Sequence, residues 1–319
     1  MIGFKLLIKS IIKNIPGIEK IINLHKSTGG TDEARYCYSI WLRHLCLAHK
    51  NGFKIPSTIA ELGPGDSLGV GIAALICGAD KYYALDVVKY WNKEKNIKIF
   101  EELADLFKKK ENIPGPDEYP RVKPDLDNYE FPIQILTEKH LKKMLNSKRL
   151  DSIRNALVNP NEDKGKIVIK YFIPWNDTNV IIPESVDMIY SQAVMEHVTE
   201  LNHSYESMYK WLKPNGFMSH TIDFKSHGTS GRWNGHWTYS DFEWKFITGR
   251  KKFLINRAPH STHMHLLNKN GFKIIRDIKT TLNSGIQRKK LTVKFKDISN
   301  GDLSTSVCFI QAVKRSPMN

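Results

Sequence analysis

The chain of 319 residues (36.7 kDa) is 41% hydrophobic and 25% charged; that is enough apolar material for a sizeable core and excludes wholesale disorder, while no apolar run reaches the roughly 18 residues of a membrane-spanning helix. Its four cysteines (Cys37, Cys46, Cys77, Cys308) form no CxxC pair and stand far apart, which indicates neither a zinc site nor a disulfide framework and makes a reduced, cytoplasmic enzyme the default expectation. The surplus of 48 Lys+Arg over 33 Asp+Glu, a net charge of +15, leaves four options open: nucleic acid, an anionic membrane surface, acidic substrates, or a solvated lysine-rich surface with no partner.

The first segment, residues 1–28, is apolar and basic together. Phe4, Leu6, Leu7, Ile11, Ile12, Ile15, Ile18, Ile21 and Ile22 recur near helical spacing, and Lys5, Lys9, Lys13, Lys20 and Lys26 face one acid, Glu19. It lacks the long apolar core and small-residue cleavage site of a secretory signal, and Pro16 divides it into two short helices. Such helices lie in a membrane interface or pack on their own domain; the first option makes residues 1–26 a peripheral membrane contact. The remainder, 29–319, reads as one domain.

Next comes STIAELGPGDSLGVGIAALICGADKYYALDVV. Ile59–Leu62 predicts a buried strand, 63–69 a tight glycine-rich turn, 70–77 a helix, and Tyr82–Leu85 a second strand ending on Asp86. This is a βαβ unit with glycines (Gly63, Gly65, Gly69) where backbone approaches a ligand and an acid placed to accept hydrogen bonds from ribose hydroxyls. Glu61, just before Gly63-Pro64-Gly65, opposes a pyrophosphate and suits a cofactor with a cationic end and no phosphates. The glycine spacing also departs from the GxGxxG register of dinucleotide sites. Both details favour S-adenosylmethionine (SAM).

Residues 89–165 carry 16 basic and 14 acidic side chains. A helical run, a proline-rich bridge and further helix make this stretch an insertion between two core units. Beyond it, Val186–Tyr190 and the stretch 216–222 predict two more strands.

ELGPGDSLG followed by ALDVV resembles the first two motifs of class I SAM-dependent methyltransferases, and SVDMIYSQAVMEHVTELNHSYESMYKWLKPNGFMSHTIDF resembles the fourth-strand, helix and fifth-strand block of that superfamily's small-molecule branch. The resemblance covers roughly 57–88 and 166–224 and departs at Ser67, where the family often has a third close glycine. It implies a doubly wound, Rossmann-like α/β sheet with a helical insertion after the second strand, a C-terminal substrate cap, and SAM as cofactor. Carried over residue by residue, it places Glu61, Gly63, Pro64, Gly65, Gly69, Asp86 and Val87 around the cofactor. Asp177, or alternatively Asn176, is then the adenine contact, and Ser191 and Gln192 lie beside the methionine portion.

SAM brings its own leaving group, so the protein aligns the acceptor, excludes water and, for a hydroxyl acceptor, removes a proton. His197 at the start of the helix after the fourth strand, with Asp223 following the fifth, is placed as a general base assisted by a carboxylate; the two positions resemble the His and Asp of sugar O-methyltransferases. The alternatives are a histidine that merely packs beside the cofactor and a structural carboxylate. Residues 225–270 are dense in Trp, Tyr, His and Gly. Trp233, Trp237, Tyr239 and Trp244 could stack on sugar rings, with His227, Asn234 and His236 as polar contacts, or the same aromatics form a small core of their own. His263 and His265 suit two metal ligands only on a strand and lack a carboxylate partner, so no metal is expected.

From residue 273 to the end, ten Lys or Arg stand against three acids, and LTVKFKDI and STSVCFIQAV alternate like the two strands of a hairpin. Only Phe295 and Phe309 interleave with that charge, too few aromatics for a nucleic-acid platform. The resulting expectation is a SAM-dependent O-methyltransferase of a sugar or glycan hydroxyl in the cell envelope, membrane-associated at the cytoplasmic face. Nucleic-acid methylation, lipid or quinone methylation, and a non-catalytic SAM-binding protein stand as alternatives.

Overall fold

Apolar residues in the strands face both ways. In β1 (Thr58–Leu62), Ile59 packs into one core and Ala60 and Leu62 into another; in β2 (Lys81–Leu85), Tyr82 and Ala84 join the first and Leu85 the second. Successive side chains of a strand point to opposite faces, so burial on both demands a sheet covered by helices on both sides. The computed structural model, which describes residues 30–175, 177–249 and 254–315, has that architecture. The basic segment 1–28 lies outside the described residues.

The other strands are β3 (Val168–Phe172), β4 (Val186–Gln192), β5 (Leu212–Asp223), β6 (Phe272–Thr281) and β7 (Thr305–Lys314). They form one seven-stranded sheet in the order β3-β2-β1-β4-β5-β7-β6, in which β1 to β5 are parallel and β7 runs antiparallel to both neighbours. One face carries α1 (Ala34–Lys50), α2 (Gly69–Cys77), α3 (Lys93–Lys109), α4 (Glu138–Met144) and α5 (Ser147–Val158), whose apolar stripes bury Trp41, Leu75, Phe100, Leu141 and Leu157. The opposite face carries α6 (Leu201–Trp211) and α8 (His260–Lys269), which contribute Tyr205, Met208, Trp211 and Leu267. Strand order reverses between β1 and β4, and ligands of doubly wound sheets bind at the carboxyl ends beside such a point.

The proline-rich part of the insertion is tied down by one buried cation. Arg43 on α1, 1% exposed, donates to the carbonyls of Pro124 (2.5 Å) and Pro114 (3.1 Å). The neighbouring Lys123 carbonyl accepts from Gln192 Nε2 (3.4 Å) and Thr221 Oγ1 (3.2 Å). The insertion therefore lies against the ends of β4 and β5.

The C-terminal hairpin has a different first strand from the one expected. β7 pairs with β6, whereas residues 291–298 (LTVKFKDI) form an irregular stretch with a short 3-10 turn over Val293–Phe295. Leu291 and Phe295, four residues apart, both bury against Trp237; that is helix-like spacing, and it outweighs the alternation of lysines. Trp237, Leu291 and Phe295 with the partly buried Trp233, Ile286, Ile298 and Leu303 form a third, small core beside the sheet. Two further helices, α7 (Asp241–Thr248) and α9 (Asn300–Ser304), belong to this C-terminal part. Among the described residues no helix is long and apolar enough to cross a membrane.

Candidate active site

Where the strand order reverses, a cavity of about 240 Å³ opens at the carboxyl ends of the strands. Gly63 after β1, Leu85, Asp86 and Val87 at the end of β2, Trp175 after β3, Val194, His197 and Val198 after β4, and Thr199, Glu200, His203 and Ser204 around the start of α6 line it. Gly63 has a φ of +63°, and a Cβ there would stand 2.7 Å from Val194 Cγ2. Only glycine lets the β1 and β4 loops approach this closely. Its N–H donates to Leu85 O at 2.8 Å and ties the loop to β2.

Asp86 is buried, and its two oxygens differ. Oδ1 accepts from the backbone N–H groups of Val87 (2.7 Å) and Val88 (3.3 Å), whereas Oδ2 is buried with no hydrogen-bond partner among the described residues. Burial pushes the carboxyl above its ordinary value, opposed by the backbone N–H groups of Val87, Val88 and Gly65. A buried acceptor left over on a cavity wall is a place for a ligand hydroxyl.

At the start of α2 two backbone N–H groups are already taken. The Leu68 N–H is taken by Asn96 Oδ1 (2.8 Å) and the Gly69 N–H by Ser67 Oγ (3.0 Å), while Ser67 in turn donates to Thr31 O. These are donors that would cradle a phosphate at a helix N-terminus. Ser67 thus holds the helix start together in place of a glycine.

Several expected cofactor residues sit elsewhere. β1 extends to Leu62, so alternation sends Glu61 to the Ile59 face rather than to the sheet edge. There its carboxylate accepts hydrogen bonds from Tyr82 and from Tyr190 (3.0 Å), and burial pushes it up to about 7. Gly69 serves packing: a Cβ would lie 2.3 Å from Cys37 Sγ on α1. Pro64 is buried and Gly65, at φ +76°, completes the turn. Asp177 is exposed and accepts from the Asn179 N–H (2.8 Å), while Trp175, two residues earlier, lines the cavity; Asn176 lies outside the described residues. Ser191 and Gln192 are the last residues of β4 rather than beyond it, and the buried Ser191 hydroxyl bonds to His220 Nδ1 (2.8 Å).

His197 ends a 3-10 turn, Met195–His197, with α6 starting only at Leu201, and it lines the cavity. Asp223, the last residue of β5, is paired with Lys225 Nζ (3.1 Å) and lies 3.6 Å from His227 Nε2. Burial raises the Asp223 carboxyl, but His227 and Lys225 outweigh it and hold it below the usual carboxylate range. The rings of His227 and His197 meet edge to face with centroids 5.1 Å apart. His227 takes a φ of +44°, a backbone strain of the kind that gathers at functional sites. The histidine that stands against Asp223 in this way, expected as a substrate contact, thus joins the cluster.

The aromatic loop is mostly interior. Trp237 is fully buried, with Nε1 donating to Arg257 O (2.9 Å), and Tyr239 donates to Thr229 O (2.9 Å). Asn234, also fully buried, accepts from the Ile286 N–H (2.6 Å) and clamps the loop before α9. His236 is buried against Trp237, and burial holds it down to about 3. Trp233 is partly buried beside Trp237, and Trp244 lies over the Arg257 guanidinium. These rings build the small core instead of lining the cavity. His263 and His265 lie on α8, not on a strand, and His263 is buried with Nδ1 bonded to Tyr205 (2.8 Å).

Trp175, Val194 and Val198 line the cavity without any signal in the sequence. Only the Glu196-His197 dipeptide carried a visible signal, as two adjacent chemistry-bearing residues after a strand.

Among solved structures, the chain is similar to a SAM-dependent methyltransferase from Mesorhizobium loti (15% identity over 80% of this chain and 90% of that one, TM-score 0.39). It is also similar to phosphoethanolamine N-methyltransferase 2 of Haemonchus contortus (16%, 86% and 53%, TM-score 0.42) and to the [4+2]-cyclase SpnF (10%, 86% and 80%, TM-score 0.43). No family profile and no curated protein matches the chain.

Proposed function

We propose that the chain is a SAM-dependent methyltransferase that acts on the hydroxyl of a sugar or glycan. The observation that carries this reading is the pairing of an unpartnered, buried Asp86 Oδ2 on the cavity wall with α2 N-terminal N–H groups already spent on Asn96 and Ser67. The first suits a ribose; the second disfavours a pyrophosphate. A nucleoside cofactor without phosphates satisfies both. The cavity is below the roughly 300–1,000 Å³ of sites that enclose whole drug-sized ligands, a size for one end of such a cofactor, with Val87 and Trp175 as apolar walls.

When bound, SAM supplies an electrophilic methyl group on a sulfonium. The chain's own task is then to orient the acceptor and hold a proton. His197 on the cavity wall takes the proton of the acceptor hydroxyl, and Asp223 with His227 steadies the resulting charge from behind. An acceptor that needs such a base is a hydroxyl rather than an amine. The apolar, basic residues 1–26 bring the enzyme to an anionic membrane where glycans are assembled.

Calorimetry with SAM tests the cofactor, and labelled methyl-SAM with fractionated cell extract tests the acceptor class. His197→Ala should abolish turnover with SAM affinity nearly intact; retained turnover would remove His197 from the base role. Label in nucleic acid or lipid instead of polysaccharide would overturn the glycan reading, and loss of vesicle co-sedimentation on deleting 1–26 tests the membrane contact.

A further inference from the structure

Glu196 lies almost wholly inside the protein. It is 3% exposed, and neither carboxylate oxygen has a hydrogen-bond partner among the described residues. A charged carboxylate left alone in this way costs several kcal/mol, so it is held protonated or set against a cation. Lys225 pairs with Asp223. What converges on Glu196 is imidazole: one oxygen of Glu196 and one nitrogen each of His197 and His227 lie within 4.8 Å of one another.

We propose that Glu196, His197 and His227 bind one divalent transition-metal ion of the zinc class, leaving a coordination position for water or a ligand oxygen. Two imidazoles and a carboxylate suit zinc, cobalt or nickel better than magnesium or calcium. Bonds of about 2.1 Å place tetrahedral ligand atoms roughly 3.4 Å apart, so the site closes by shifts of about an ångström. His227, whose side chain is 27% exposed, has room for that shift. Asp223 Oδ2, 3.6 Å from His227 Nε2, stands where a carboxylate behind a liganding histidine fixes its tautomer and leaves Nδ1 for the metal. No cysteine pattern marks such a site, because its ligands are a dipeptide after β4 and one histidine thirty residues on, joined only by the fold.

A metal on His197 occupies the lone pair that accepts the proton in the reaction above. On that reading, metal loading and base catalysis exclude one another; the metal site itself does not rest on it. The test titrates tag-free protein with Zn²⁺ by calorimetry and with Co²⁺ in the visible. The expected result is one ion per chain with the intense absorption of a four- or five-coordinate cobalt site. Glu196→Gln and His227→Ala should each weaken binding more than about 100-fold and Asp223→Asn about 10- to 100-fold, with thermal unfolding of the metal-free proteins near wild type. Wild type that binds no Co²⁺ in such a geometry, or Glu196→Gln and His227→Ala variants that bind as tightly as wild type, overturns the site. Intact Co²⁺ binding in a chain that neither binds SAM nor transfers methyl groups would instead overturn the proposed reaction.

Discussion

Asp86→Asn separates ligand binding from folding more cleanly than any other change in this site. The asparagine keeps the shape of the side chain, and its one oxygen still accepts from the Val87 and Val88 N–H groups as Oδ1 does. Its amide nitrogen then replaces Oδ2, the buried oxygen with no hydrogen-bond partner among the described residues, so a donor faces the cavity where an acceptor stood. A hydrogen bond to a charged acceptor is worth about 1.5–3 kcal/mol. Loss of the ribose hydroxyl bonds at Oδ2 therefore costs about 3 kcal/mol, roughly a 100-fold rise in Kd for SAM and S-adenosylhomocysteine.

The ligand-free fold should respond in the opposite sense. Burial already disfavours the charged form of Asp86, and a neutral amide removes that penalty, so the melting temperature without ligand should stay level or rise. Calorimetric titration and thermal unfolding of the same preparation check both signs together. A Kd within threefold of wild type would show that Oδ2 does not meet the cofactor. A large fall in melting temperature accompanying lost binding would show that Asp86 supports the loop instead.

Gly71→Ala places a Cβ about 2.1 Å from the Tyr82 ring, which is buried and pinned through its hydroxyl to Glu61. The overpacking should cost about 3 kcal/mol in urea unfolding, and an unchanged midpoint would disprove the close packing. Trp237→Ala should lose about 3–5 kcal/mol of stability with SAM affinity within twofold; a stable variant that loses only acceptor binding would restore the sugar-stacking role. Stability should also fall on acidification, because burial holds His44, His220, His236 and His263 down to about 3, below their ordinary 6.5. Their contribution is complete above 6.5 and drains as pH falls toward 3, at about 5 kcal/mol per pH unit for the four together. Glu61, raised from 4.5 to about 7, has the other sign: its contribution is complete below 4.5 and is lost as pH rises through 7, which offsets about a quarter of the loss between 7 and 4.5. Unfolding midpoints that do not move between pH 6.5 and 5 would show that these histidines are not kept neutral by the fold.

The nucleotide-site half of the fold was legible because its signals are local. Ile59–Leu62, Tyr82–Leu85 and Val186–Tyr190 are short apolar runs that meet core on both faces, and Asp86 marks the tip of its strand. The rest depended on which way a side chain turns or on distant partners. The predicted strand ends at Leu62 as β1 does, but alternation along it turns Glu61 inward to Tyr82 and Tyr190. The first strand of the C-terminal hairpin was misplaced because β6 carries polar residues through its middle, and only its pairing with β7 holds it extended. Of the two adenine contacts expected after β3, Asp177 is exposed and Asn176 lies outside the described residues, while Trp175, which no pattern singles out, lines the cavity. His227 reaches Asp223 through a strained turn that no periodicity announces.

Glu61 and Glu196 are both deeply buried, and their surroundings assign them different work. Glu61 on β1 receives hydroxyl donors from Tyr82 on β2 and Tyr190 on β4. It therefore braces the three adjacent strands whose carboxyl ends form the cavity, and the two tyrosines partly offset the cost of burying it. Removing the acid would leave two buried hydroxyls without acceptors and loosen the register on which the Gly63–Val194 approach depends. Glu196 is as deeply buried and receives no such donors among the described residues. Toward its carboxyl stand the backbone N–H groups of Glu196 and Asp223, and burial outweighs them, so the metal ion proposed above would supply the complement that the tyrosines supply to Glu61. By the same reasoning Glu61→Gln, which keeps an acceptor for the tyrosines, should leave metal binding untouched, whereas Glu196→Gln should weaken it by more than about 100-fold. If Glu61→Gln weakened Co²⁺ binding as much as Glu196→Gln, the division between brace and ligand would be wrong.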